Sequence, residues 1–158
     1  MTLGGQYDWT AKAYPMEQPP PFPSDIADLV KSLFPSMDPQ AAIVNVYHPH
    51  DTLSLHRDVA EKTDRGLVSI SLGLDCLFIV GVENDVTGEI KSHILRLRSG
   101  DAILMSQEAR FAWHAVPSII PLTCPTQLEQ WPGSEFPDWK GWMKDKRINF
   151  NIRQMYEA

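Results

Sequence analysis

The sequence predicts a mainly-β sandwich or jelly roll with one supporting helix near its N-terminus. Three observations lead there. From residue 41 onward, apolar residues recur with period two or in short runs; turn signals punctuate those runs; and one segment, residues 24–34, carries a clear helical stripe. A chain of 158 residues, 43% hydrophobic and 22% charged, has the length and composition of one globular domain with a real core. That domain divides into an N-terminal extension with its helix, residues 1–40, and a β core over 41–154.

Taken in order, the extension is rich in aromatic residues and proline, with Tyr7, Trp9 and Tyr14 ahead of the run PPPFP at 19–23, an extended connector. A helix is expected from Ser24, as N-cap, to Phe34, with Ile26, Leu29, Val30, Leu33 and Phe34 spaced as a buried stripe and Pro35 ending it. The segments AAIVNVY (41–47), GLVSISLG (66–73), CLFIV (76–80), HILRLR (93–98), AILMS (102–106) and RINFNIR (147–153) read as strands. HPHD (48–51), VTGE (86–89) and SGD (99–101) turn the chain between them. Residues 117–146 form a long insert with five prolines and Trp131, Trp139 and Trp142. Packing by its own aromatics is the first expectation for such a segment.

Composition excludes several classes. A net charge of −6 argues against a surface that grips a phosphate backbone along its length. Two cysteines, Cys76 and Cys124, make no disulfide framework and lack metal-site spacing. No apolar run approaches the roughly 20 residues of a membrane span, so no membrane partner is expected. The N-terminus has neither a basic n-region nor an apolar h-region. A secretory signal is therefore not expected, and a reducing intracellular compartment is.

Two stretches carry chemistry. In YHPHDTLSLHRDVAE (47–61), His56 and Asp58 are two apart, so on a strand they would share a side; His114 follows in the strand-like RFAWHAVP. Two histidines and one carboxylate make the facial triad of non-haem Fe(II) oxygenases, whose opposite positions stay free for a co-substrate and O₂. HxD alone is a weak signal, since histidines near carboxylates are common on surfaces. The second stretch, RINFNIR, alternates Ile148, Phe150 and Ile152 with Arg147, Asn149, Asn151 and Arg153. Two guanidiniums and two amides on one strand face, with no acid, suit a dianion such as 2-oxoglutarate, the usual co-substrate of such iron sites. Asn45 and Tyr47 share a strand face upstream and are candidate donors to the same ligand.

NVY (45–47), HRD (56–58), SISLG (69–73), SGDAILMS (99–106), AR with the following His114, and RINFNIR occur in the order of the motifs NxY, HxD, SLG, GD, R…H and RxNxTxR. The chain thereby resembles the AlkB family of Fe(II)/2-oxoglutarate dioxygenases from about Ala41 to Gln154, and its YDW, PFPSD and HAVP stretches are closest to the eukaryotic type-1 AlkB homologues. The resemblance implies a double-stranded β-helix, with Fe(II) held by His56, Asp58 and His114. It implies a 2-oxoglutarate site lined by Asn45, Tyr47, Arg147, Asn149 and Arg153. Arg147, assisted by Tyr47, would bind the distal carboxylate; Arg153 and Asn45 would lie nearer the chelating end. Ile148, Phe150 and Ile152 would pack the outer layer, and Ser69, Ser71 and Gly73 would support the barrel.

The implied activity is oxidative demethylation of N-methylated bases in nucleic acid, with 2-oxoglutarate and O₂ consumed and RNA or tRNA loops favoured over DNA. Tyr7 and Trp9 are candidates to stack on the substrate base. Three departures from the pattern matter. Asn151 stands for the usual Thr, Ala60 replaces an acidic base-contacting residue of the bacterial repair enzyme, and only 44 residues precede Asn45, which implies a short nucleotide-recognition lid. Two groups, Lys91, His93, Arg96 and Arg98, and Lys140, Lys144 and Lys146, are the clusters that would touch phosphates if any do. Trp113, of opposite strand parity to His114, is read as packing. Two alternatives stay open: a protein or histone-tail oxygenase with the same iron core, and a non-catalytic jelly-roll module with a structural metal and a closed fourth ligand.

Overall fold

The period-two segments fold into two antiparallel sheets that enclose an inner core, and a helix covers the back of the larger one. The structure is a computed structural model, and it describes residues 1–15, 19–61, 63–84 and 86–156. In chain order the elements are β1 (Thr2–Gly4), α1 (Ser24–Leu33), β2 (Ala41–Tyr47), β3 (Leu53–His56), β4 (Leu67–Gly73), β5 (Asp75–Glu83), β6 (Ile90–Leu97), β7 (Ala102–Met105), β8 (Trp113–Ile120), α2 (Thr126–Glu129) and β9 (Arg147–Arg153). The larger sheet has the order β1-β2-β9-β4-β7 and the smaller β3-β8-β5-β6. This is the jelly roll expected, of the double-stranded β-helix type.

RINFNIR is the central strand of the larger sheet, paired along its whole length on both sides. Arg147 lies opposite Tyr47 and Gly73, Asn149 opposite Asn45 and Ser71, Asn151 opposite Ile43 and Ser69, and Arg153 opposite Ala41 and Leu67. The apolar alternates point the other way. Ile152 and Phe150, with Val68 and Ala42, pack beneath Val30, Met37, Ile26 and Phe34. Burying that back face leaves the polar alternates pointing inward. There they meet a second cluster built from both sheets, including Leu67, Cys76, Phe78, Leu97, Met105, Val116 and Ile119.

Several expectations are corrected. Pro23, not Ser24, is the N-cap of α1; Ser24 is its first helical residue, and no side chain caps it. Of the expected stripe only Val30 is fully buried. Leu29 and Leu33 are about half exposed, because the sheet lies under the Ile26–Val30–Phe34 line of the helix and those two leucines flank it. The strand reading missed β1 and the bounds of two others: β3 ends at His56, short of Asp58, and β8, the strand-like RFAWHAVP, runs on to Ile120. β1 and β3 are only three and four residues long, and β8 is interrupted by Pro117. The insert gives its first residues to β8 and then folds on itself, as expected: Trp131 and Trp139 each stack edgewise on Trp142, and Met143 is buried. Cys76 is a reduced core residue, as read.

One local feature fixes where β9 begins. Gly73 ends β4 with φ +87°, and an added Cβ there would lie 2.2 Å from the Lys146 carbonyl oxygen. Only glycine lets β4 turn so close to the residue preceding Arg147.

Candidate active site

His56 ends β3 and His114 lies in β8, directly opposite it. The two rings sit 4.2 Å apart between centroids. Asp58 lies beyond β3, outside any strand, so the shared-face argument from the sequence does not place it. Its contacts do. Arg153 Nη2 donates to Oδ1 at 2.8 Å and Asn151 Nδ2 donates to Oδ2 at 3.1 Å, which leaves Oδ2 3.6 Å from His114 Nε2. One donor atom from each of His56, Asp58 and His114 falls within 4.8 Å of the others, and no fourth His, Cys, Asp or Glu joins them among the described residues. A closed four-ligand structural site is therefore not what these side chains build.

The protonation pattern suits a metal. His56 Nδ1 lies 2.8 Å from the Ser54 carbonyl oxygen and His114 Nδ1 lies 3.0 Å from that of Ala112. A ring nitrogen facing a carbonyl oxygen carries the hydrogen, so Nε2 of each imidazole is the atom left to face the cluster and take a metal. Burial works to raise the Asp58 carboxyl, but His114, the Arg153 charge and the Asn151 amide outweigh it and hold it well below the usual carboxylate range. Asp58 is anionic.

The arginine face supplies the second half of the site. Arg147, 1% exposed, gives Nη2 to Ser71 Oγ and Asn149 Oδ1, both at 2.9 Å, and stacks its guanidinium 5.2 Å from the Tyr47 ring centroid. Its Nε and Nη1 are buried without a partner, as are Arg153 Nε and Asn151 Oδ1. Buried donors left in this way call for a ligand. Nε and Nη1 lie on different edges of the guanidinium, each an open charged donor, so a carboxylate oxygen accepting from either fits here, as 2-oxoglutarate would supply. Ser69 and Ser71 do more than support the barrel. Ser69 Oγ donates to Asn149 Oδ1 and Ser71 Oγ accepts from Arg147, so both orient the fork.

Arg153 lies beside the metal-side carboxylate, at the end of the site the resemblance implied. Its Nη2 is held by Asp58, and its Nη1 by Glu61 at 2.9 Å and the Tyr14 hydroxyl at 3.4 Å. Arg153 is thus first a partner of the metal-side carboxylate, with Nε alone left toward the cavity. Glu61 and Tyr14 were missed by sequence reasoning; the signal for Glu61 was a single acid three residues past Asp58.

All the expected site residues, Tyr7 and Trp9 included, line one cavity of about 360 Å³, within the range of small-molecule sites. Tyr7 packs edgewise on both Trp9 and Tyr14, and Trp9 is 66% exposed at the rim. Lys12 and Arg57 also line it, Arg57 lying 5.0 Å from the Trp113 ring centroid, while Trp113 itself is not among the lining residues. Neither expected basic cluster lines the cavity. Arg96 pairs with Asp75 on the far edge strand β6, and Lys146 pairs with Asp145.

The comparisons with known proteins agree with this geometry. Residues 1–153 match the 2OG-Fe(II) oxygenase superfamily. The chain is 54% identical to the N6-methyladenosine RNA demethylase ALKBH of Cryphonectria parasitica, covering all of this chain and 75% of that protein. It is 52% identical to the N6-methyladenosine RNA demethylase ALKB1 of Pyricularia oryzae, covering 99% and 48%, and 44% identical to the tRNA demethylase abh1 of Schizosaccharomyces pombe, covering 98% and 52%. The chain therefore spans about half the length of the latter two relatives. Among solved structures, that of OsALKBH1 superposes with a TM-score of 0.78 at 26% identity, covering 98% of this chain and 76% of that one. A facial triad, an arginine fork facing it across one cavity, and these matches together lead to one conclusion: the chain belongs to the 2OG-Fe(II) oxygenase superfamily, in its AlkB branch.

Proposed function

We propose that this protein is an Fe(II)- and 2-oxoglutarate-dependent demethylase of N-methylated bases in RNA. The observation that carries the proposal is the cavity itself. At its base lie a three-donor metal cluster and an arginine with two unpartnered donors; at its rim an exposed tryptophan stands beside Lys12 and Arg57. The names of the relatives support nucleic acid as the substrate, and the three described above are named RNA or tRNA demethylases.

His56, Asp58 and His114 would hold Fe(II) through Nε2, a carboxylate oxygen and Nε2. The Arg147 guanidinium, through one of its open donors, would take the distal carboxylate of 2-oxoglutarate, with Tyr47, Asn45 and Asn149 around it. Arg153 and Asn151 keep Asp58 ionised and aimed at the imidazoles. Trp9 would stack on an extruded base and Tyr7 would brace Trp9 from the side. When bound, Fe(II) and 2-oxoglutarate supply oxidative decarboxylation to succinate and CO₂ with insertion of one O₂ oxygen atom into a methyl C–H bond. The N-hydroxymethyl product then loses formaldehyde and returns the unmodified base.

An unpaired base costs least to bring out of the stack, so loops in structured RNA are the preferred class, ahead of single-stranded DNA and well ahead of duplex DNA. Mass spectrometry of the methylated nucleoside, with formaldehyde release, across matched RNA-loop, single-stranded and duplex substrates tests this order. A clear preference for duplex DNA would reverse it. Turnover of 2-oxoglutarate without loss of methyl from any nucleic acid would move the assignment to a protein oxygenase.

A further inference from the structure

The loop that carries Asp58 has no ladder to hold it. The described residues between β3 and β4, 57–61 and 63–66, have no regular structure, so side chains must fix the metal-side carboxylate. Two of them come from β9, as described. The third comes from the segment ahead of β8: Arg110, four residues before His114 (114 − 110), is 2% exposed and places every guanidinium nitrogen on this loop. Its Nη1 donates to the Asp58 carbonyl oxygen at 3.0 Å, its Nε to the Arg65 carbonyl oxygen at 2.6 Å, and its Nη2 to Glu61 at 2.8 Å. One guanidinium thus ties both ends of the Asp58 loop to the strand that bears His114.

Glu61 closes the arrangement. Its side chain is fully buried and bridges Arg110 to Arg153. The four groups run Asp58, Arg153, Glu61, Arg110 with alternating sign and no net charge. Without Glu61, two buried guanidiniums would face each other uncompensated, and Arg153 would have only Asp58 to neutralise it. We infer that Arg110 and Glu61 are positioning residues for the metal centre, acting through the backbone and carboxylate of Asp58 to hold it in register with His114. The inference rests on the reading that His56, Asp58 and His114 bind the metal.

The test measures Mn²⁺ affinity of the full chain, amide hydrogen exchange over residues 58–65 in metal-free protein, and the thermal midpoint. Wild-type protein is expected to bind one Mn²⁺ and Asp58→Ala to lose it; stoichiometric binding in Asp58→Ala would overturn the triad reading, and this inference with it. Arg110→Lys and Glu61→Gln, which keep volume and some hydrogen bonding, are expected to bind Mn²⁺ about 10–100-fold more weakly, the usual effect of outer-shell changes. Exchange across 58–65 should quicken before metal is added, while protection of β2, β4 and β9 persists. Arg110→Met, which removes every donor, should lose more than Arg110→Lys. If Arg110→Lys and Glu61→Gln both keep wild-type Mn²⁺ affinity and loop protection while Asp58→Ala abolishes binding, the triad stands and the positioning role falls. Should Arg110→Met fail to fold, the two conservative variants still decide.

Discussion

Arg147 shows how far a single side chain can be read once its neighbours are known. A buried guanidinium is costly unless its charge is paired and its donors are used. Arg147 has one nitrogen satisfied by Ser71 and Asn149, an aromatic face against Tyr47, and two nitrogens with nothing. A bound dicarboxylate completes it. Arg147→Ala is therefore expected to weaken 2-oxoglutarate by about 3–5 kcal/mol, the typical cost of removing one partner of a buried pair, or roughly two to four decades in affinity. Metal affinity should change little, because no contact links Arg147 to Asp58. Arg153→Ala should do the reverse and weaken metal at least as much, since Arg153 Nη2 is on Asp58. Isothermal titration of both variants with Mn²⁺, then with 2-oxoglutarate, separates the two roles. Unchanged 2-oxoglutarate binding in Arg147→Ala would show that the fork serves another ligand.

At the scale of elements, the site exists because β9 sits in the middle of its sheet. Strand alternation gives β9 one apolar and one polar face, and α1 covers the apolar one. The polar one must then face inward, where water is displaced and each donor needs a partner. The junction of β4 with the residue before Arg147 sets the height of the fork in the cavity. Gly73 permits that junction through its positive φ and its close approach to the Lys146 carbonyl. Gly73→Ala is expected to cost about 1–3 kcal/mol in backbone strain, lowering the thermal midpoint by several degrees in a chain of this size. Weaker 2-oxoglutarate binding should accompany it, since β9 must shift to relieve the contact. A midpoint equal to wild type would mean the turn tolerates a side chain after all.

At the scale of the whole molecule, a protein of charge −6 that acts on a polyanion must gather its affinity locally. Among the described residues the exposed cations lining the cavity are Lys12 and Arg57; Arg147 and Arg153 are buried deeper, Arg147 on Ser71 and Asn149 and Arg153 on Asp58 and Glu61. With about two phosphate contacts to a single strand, the logarithm of the RNA binding constant should fall with the logarithm of salt with a slope near −1.4. Fluorescence anisotropy of a labelled RNA loop across a salt series measures it, and Lys12→Ala should make the slope shallower by roughly 0.7. A slope several times steeper would place the nucleic acid on some other, more basic surface.

The ligand types and their chemistry were legible in the sequence, because they depend on which residues occur and in what alternation. RINFNIR announced a strand with a charged face, HRD with His114 announced a metal triad, and both occupy the expected cavity. The fold class was legible for the same reason: period two survives translation into sheets. What the sequence could not supply was neighbourhood. It gave no sign that β9 is central, that Asp58 stands off the strand, or that Leu29 and Leu33 flank the helix contact. Nor did it show that Arg153 faces Asp58 while Arg147 keeps two donors free. Glu61 and Arg110, 49 residues apart in the chain, became partners only when β8 folded against the loop after β3. Pairing of this kind is decided by tertiary structure, because burial removes water and forces each charge to find the nearest opposite one, however distant along the chain.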